Sequence, residues 1–328
     1  MSGSTDDGAI DVHAHLFPPA YADLIVKRQA EDPALAFPAG RLTTTHPGEF
    51  PSLFGGITER IELMNQAGIQ RQLISMGSPY VYPSDESLRI DLARTWNDET
   101  FAVLDAFPDR FGLMCSVPLP DVAASVAESR RVSSFATHAG FMMHTNVEGA
   151  GIDDPAWWPL YECWDEMSAV VLLHPDGFCV KGLLDDYSMN WDVGTQFDDV
   201  IAVIRLYSSG LLNRFPRVRW IVPHLGGALP FVLGRLDQHW ERDKARRDLP
   251  QAPSRSLGRL LFDTAGHDEA SIGFALSVLG PDHIVVGSDF PMVNADDLRP
   301  VRDNIAAACE NDEQLQRILR GNALGALA

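Results

Sequence analysis

The sequence predicts an α/β fold of the (β/α)8, or TIM-barrel, class. Short apolar runs alternate with helical segments from one end of the chain to the other, and eight such pairs can be traced. The apolar runs are near-continuous rather than alternating, as in a parallel sheet covered on its faces by helices. A length of 328 residues accommodates eight such units closed into one barrel.

Each element has its own signal. Residues 9–15 (AIDVHAH) are the first strand. Residues 57–67 carry apolar side chains at helical spacing and stop at Gly68, which accepts the left-handed turn that ends a helix. Residues 70–76 form the second strand and 85–107 a long helix. The third pair is strand 111–117 and helix 121–132, opened by Asp121, whose carboxylate can take a free backbone N–H. The fourth is 140–144 with 155–167, and the fifth is the apolar run 169–174 (AVVLLH) with 196–208. Strands 218–224 and 260–264 precede helices 228–246 and 269–279. Residues 283–289 (HIVVGSD) are the eighth strand, and two helical segments close the chain. The stretch 17–56 is too long for a plain βα connection and holds several Pro and Gly. It is expected to form a lid or small subdomain over the barrel mouth. The whole chain, 1–328, is expected to be one barrel domain with that insertion.

Lys and Arg total 26 against 45 Asp and Glu, a net charge of −19. Such a surface repels phosphate backbones and anionic lipid, which argues against nucleic-acid and membrane-surface partners. A small anionic substrate stays open, since a cationic pocket can sit inside an acidic shell. No apolar run approaches the roughly 20 residues that span a bilayer. The first residues, MSGSTDDG, are polar and acidic, unlike a secretory signal. Cys115, Cys163, Cys179 and Cys309 show no C-x-x-C spacing, which reads as small core residues in a reduced, cytoplasmic protein.

The active site of such a barrel lies at the C-terminal ends of the strands. Six of the ten histidines fall there: His13, His15, His144, His174, His224 and His267. Asp289 ends the eighth strand. Residues two apart on a strand face the same side, so His13 and His15 can share one ion on the barrel axis. Imidazole with carboxylate suits zinc or another divalent transition ion. His174 and Asp289 would complete the set, leaving a position open for water or substrate. H-x-H alone also arises by chance on a solvent-facing strand. Here it is joined by HP after the fifth strand, HLGG after the sixth and GSDFP after the eighth.

With those segments in order, the chain resembles the amidohydrolase superfamily, in its amidohydrolase-2 branch. The matching stretches are IDVHAHLFPP, VVLLHP, RFPRVRWIVPHLGGALPFVLGRLD, LLFDTAG and VVGSDFPM. The branch holds aminocarboxymuconate semialdehyde decarboxylases, related aromatic acid decarboxylases, and some hydratases and hydrolases. The resemblance implies His13, His15, His174 and Asp289 as metal ligands and His224 as general acid/base, with Asp289 also moving protons. It implies one divalent ion, zinc first and manganese second. Two-metal members carry a modified lysine at the end of strand four, where this chain reads GFMMHTN and has none.

Arg235 lies eleven residues after His224. In the decarboxylase branch an arginine at that spacing holds a substrate carboxylate in the neighbouring subunit's site, which implies a homodimer. A surface arginine paired with Asp237 or Glu241 is the plainer alternative. Trp191, seventeen residues after His174, matches a tryptophan near the substrate, and a core or lid role is equally open. Asp263 could orient a neighbour. His144 and His267 read as packing residues or substrate contacts. The semialdehyde decarboxylases also carry an arginine in the first long loop, where this chain reads HPGEF around Gly48. Their usual substrate is therefore not expected.

The expected activity is metal-dependent decarboxylation of a small aromatic or unsaturated carboxylic acid. A hydrolase or hydratase acting on a lactone, amide or unsaturated acid would use nearly the same machinery. A non-enzymatic binding protein on the same scaffold is disfavoured by the intact set of polar residues at the barrel mouth.

Overall fold

The structure is a computed structural model. It describes residues 8–28, 56–77, 82–83, 85–175, 184, 186–242, 251–258, 260–293 and 296–328. The central part of the 17–56 insertion, with Arg41, His46 and Gly48, lies outside the described residues, as does Cys179.

Eight parallel strands line up in chain order. They are β1 (Ala9–His15), β2 (Ile69–Ser75), β3 (Phe111–Cys115), β4 (His138–His144), β5 (Val170–His174), β6 (Arg219–Val222), β7 (Leu260–Asp263) and β8 (Ile284–Val285). The ends of the sheet meet through parallel bridges from Asp11 to Val286 and from Ala14 to Phe290. Backbone bonds from Val12 N to Val286 O (2.8 Å) and from His15 N to Phe290 O (2.7 Å) reinforce that closure.

Among the described residues the α-helices between the strands are α1 (Pro19–Arg28), α2 (Ile57–Ala67), α3 (Glu86–Leu104), α4 (Val122–Val132), α5 (Trp158–Glu166), α6 (Thr195–Ser208), α7 (Leu211–Arg214), α8 (Leu229–Arg242), α9 (Pro253–Ser256) and α10 (Glu269–Leu279). The expected caps are present. Gly68 takes φ +69 at the end of α2, and Asp121 accepts the N–H of Ala124 at 2.8 Å; Asp85, not expected as a cap, likewise accepts the N–H of Leu88 at 2.9 Å. The end expected for the sixth helix, at 246, lies outside the described residues. The strands are fully buried along almost their whole length and form the core with the inward faces of the helices.

One element departs from expectation. The eighth strand was expected over 283–289, and only two residues pair with β7. The reason is chemical. After Val286 the chain turns to β1, where the carboxylate of Asp11 takes the N–H (3.0 Å) and hydroxyl (2.6 Å) of Ser288. Asp289 then adopts a left-handed conformation, φ +54, and its N–H bonds to His13 O at 2.8 Å. The extended run is given up so that Asp289 meets the end of β1.

Candidate metal centre and acid/base residues

Four elements end at one point inside the barrel mouth. His13 and His15 come from β1, His174 from the end of β5 and Asp289 from the turn after β8. Nε2 of His15 lies 3.2 Å from Nε2 of His13, 3.3 Å from Nε2 of His174 and 3.0 Å from Oδ1 of Asp289. Oδ1 of Asp289 is also 3.6 Å from Nε2 of His13.

The outward nitrogens explain this crowding. Nδ1 of His13 donates to Asp263 (2.9 Å) and Nδ1 of His174 to the carbonyl of Pro175 (3.0 Å). Nδ1 of His15 faces the Ser75 hydroxyl (3.2 Å) and carbonyl (3.4 Å). A carbonyl only accepts, so the proton sits on Nδ1 and each Nε2 presents a lone pair. Lone pairs packed this closely repel one another, and a single proton on His15 could serve only one neighbour. A cation relieves all of them together. Ligands at ~2.0–2.1 Å from a tetrahedral ion stand about 3.3 Å apart, the spacing seen here. The three histidines are the group among the described residues whose ligand atoms all fall within 4.8 Å of one another.

Electrostatics agree with that donor set. Burial pushes His15 down, and burial with the neighbouring His15 and His13 holds His174 well below its ordinary value. Both are neutral imidazoles. Burial would raise Asp289, but the His15 and His13 rings beside it hold it low. Burial would lower His13, and the carboxylate of Asp263 outweighs this and raises it.

His224 stands beside the cluster, its ring centroid 5.5 Å from that of His13. It follows β6 in a tight turn with φ +52 at His224 and φ +57 at Leu225. Its N–H is held by Oδ1 of Asp263 (3.0 Å), its carbonyl by Nε2 of His267 (3.1 Å), and its Nδ1 by Oδ2 of Asp199 (2.9 Å). Burial would lower its pKa; the hydrogen bond and charge of Asp199 outweigh this and raise it to about 9. The side chains of His224 and Asp289 remain 11% and 16% exposed, against 0% for His13 and 1% for His15. A substrate can therefore reach the cluster from the side of His224 and Asp289.

The remaining sequence candidates are not among the residues whose ligand atoms converge. Trp191 sits in a π-helical turn (Asn190–Gly194) ahead of α6 and is 38% exposed. Arg235 is exposed on α8 and makes no ion pair among the described residues. Asp237, one partner considered for it, accepts Ser254 N at 3.0 Å instead. His144 is fully buried, pairs in register with His174 and meets Tyr82 edge-on at 4.9 Å. His267 braces the His224 turn. Asp199 was missed in the sequence. Its only signal was a carboxylate in register with the buried Ala202, Val203 and Leu206, and the buried Thr195 and Asp198 beside it blur that pattern.

The amidohydrolase family model matches residues 10–327. A 2-amino-3-carboxymuconate-6-semialdehyde decarboxylase of Dictyostelium discoideum is 28% identical over 241 residues, covering 71% of this chain and 66% of that protein. A 2-keto-4-carboxy-3-hexenedioate hydratase of Sphingobium is 25% identical over 299 residues, covering 85% of this chain and 82% of the relative. The crystal structure of 5-carboxyvanillate decarboxylase from Sphingomonas paucimobilis superposes with a TM-score of 0.86 at 23% identity, covering 98% of this chain and 99% of that one.

Proposed function

The chain belongs to the amidohydrolase family, and on that premise we propose that it is a metal-dependent decarboxylase, a carboxy-lyase acting on a small aromatic or unsaturated carboxylic acid. The observation that carries this reading is the convergence of three imidazole lone pairs and one carboxylate beside His224. His13, His15, His174 and Asp289 hold one divalent ion. Zinc suits three imidazoles and a carboxylate, and manganese is the alternative. When bound, the ion polarises substrate oxygens as a Lewis acid.

The protein's own residues handle the protons. Loss of carbon dioxide breaks a carbon–carbon bond and leaves its electron pair on the substrate carbon. A proton must reach that carbon. His224 and Asp289 are the partly exposed polar groups at the cluster and move that proton. Arg235 and Trp191 contact the substrate, Arg235 through its two-pronged guanidinium on a carboxylate in the partner subunit's site. The same proposal makes the protein a homodimer. Phe231 is 83% exposed one helical turn before Arg235, and Phe197 and Ile201 on α6 are 46% and 40% exposed. These are exposed apolar side chains of the kind that a second copy would cover. We read the whole chain as one such domain working in the cytoplasm; Cys115, Cys163 and Cys309 are free thiols. Among the described residues no helix is long and apolar enough to cross a membrane.

A hydratase or hydrolase is the second reading, favoured by the hydratase among the relatives. Mass spectrometry separates the two. Metal-loaded protein is incubated with hydroxybenzoates, muconate-type acids, lactones and anilides, with His224→Ala as control. A product lighter by carbon dioxide, absent in the control, supports the decarboxylase. A product heavier by water overturns it in favour of the second reading.

A further inference from the structure

Asp199 occupies a position that helical spacing assigns to the core. Thr195, Asp199, Ala202, Val203 and Leu206 share one stripe of α6, and all are buried. An aliphatic side chain would suit that stripe, since a carboxylate there loses its hydration and needs a donor in return. The donor is Nδ1 of His224, 2.9 Å from Oδ2; Oδ1 is buried with no hydrogen-bond partner among the described residues.

The approach of the two elements is also built in. Gly227, with φ +60, lies against the first turn of α6, where a Cβ would stand 1.9 Å from the carbonyl oxygen of Gln196. The next residue, Ala228, donates its N–H to that oxygen at 3.4 Å. A side chain at Gly227 would push the His224 turn away from α6. The backbone of His224 is fixed separately, by Asp263. Asp199 is therefore left with the ring alone.

We propose that Asp199 is a positioning residue for His224: its carboxylate keeps a proton on Nδ1, fixes the ring rotation and leaves Nε2 as the nitrogen that exchanges protons with substrate. This rests on the reading of His224 as the acid/base group. Asp199 itself neither touches substrate nor exchanges the catalytic proton.

The test uses the full-length, metal-loaded protein. Asp199→Ala is expected to lower kcat about 10- to 100-fold, as loss of an orienting partner does, with KM and metal content little changed. Asp199→Asn, whose amide oxygen can still accept from Nδ1–H, recovers most of the loss. Full activity in Asp199→Ala overturns the proposal. A second readout needs no turnover. In 15N-histidine-labelled protein the His224 ring, identified by its absence in His224→Ala, shows a protonated Nδ1 that is lost in Asp199→Ala. An unchanged ring signal overturns the positioning role. A changed signal in a protein that turns over none of the screened acids sinks the decarboxylase reading alone.

Discussion

Nδ1 of His13 lies 2.9 Å from Oδ2 of Asp263, a residue 250 positions further along the chain. The other oxygen of the same carboxylate takes the backbone N–H of His224 and of Ala265, both at 3.0 Å. One side chain thus sets the tautomer of His13, a proposed metal ligand, and the place of the His224 turn. Gly287 makes room for it, since a Cβ there would stand 2.6 Å from Cγ of Asp263. Asp263→Asn is expected to weaken metal affinity about 10- to 100-fold, measured by competition with a chelator. Asp263→Ala should also lower the melting temperature. It strands two buried backbone donors, each at a cost of about 1–3 kcal/mol.

The converging Nε2 atoms predict one ion per chain. His15→Ala and His174→Ala should abolish stoichiometric binding by elemental analysis. His144→Ala should retain it, because that ring meets Tyr82 and only the edge of His174, 6.0 Å between centroids. A chelator should remove activity, and zinc or manganese should restore it. Metal at 100 times its Kd should stabilise the fold by about 2.7 kcal/mol, read as a rise in melting temperature. Binding of metal by His15→Ala in full would contradict the assignment.

The pH dependence of the metal-free protein has a definite sign. His224 is raised to about 9, so its folded form binds protons more tightly than its unfolded form. Its stabilisation is complete below the unfolded value of about 6.5 and is lost as pH rises through about 9. His13, also raised, acts in the same direction. His138 and His144 are lowered by burial to about 4 and about 3, so they destabilise the fold as pH falls below about 6.5. Melting temperature should therefore be highest near pH 6.5. His224→Gln should flatten the alkaline limb, and an unchanged limb would assign it elsewhere.

Gly227→Ala tests the clamp between the His224 turn and α6. The new methyl group would collide with the Gln196 carbonyl in a backbone conformation that side chains rarely adopt. Activity should fall at least as far as in Asp199→Ala while the metal is retained, because no ligand moves with this turn. Equal loss of metal would mean that the turn and the ligand cluster are not separable.

The proposed metal set could be named from the sequence because its residues lie on or just after strands. The period-two pattern of AIDVHAH places His13 and His15 on one face whatever the rest of the chain does. His174 and Asp289 follow barrel runs that are recognisable by their apolar content. The partners of these residues were less legible, because they depend on packing between distant elements. Asp263 could be named as an orienting group but not matched to His13. Asp199 looks like any charge on a helix until the helix is docked against the His224 turn. The eighth strand was overextended because Ile284–Val286 reads as a strand, while the interaction that ends it lies across the barrel in Asp11.

Arg235 gives the last prediction, which also decides the oligomer. It is exposed, with no ion pair among the described residues, on a helix that presents Phe231 to solvent. If it serves the partner's site, Arg235→Ala and His224→Ala each inactivate a homodimer, but a mixed dimer regains one site. In that dimer the His224→Ala subunit lends its arginine to the other subunit, which keeps His224. Random exchange of equal amounts makes half the dimers mixed, so about a quarter of wild-type activity should return. Phe231→Glu should prevent the recovery by separating the subunits, visible by sedimentation. No recovery in a mixture shown to exchange subunits would rule out a role for Arg235 in the partner's site.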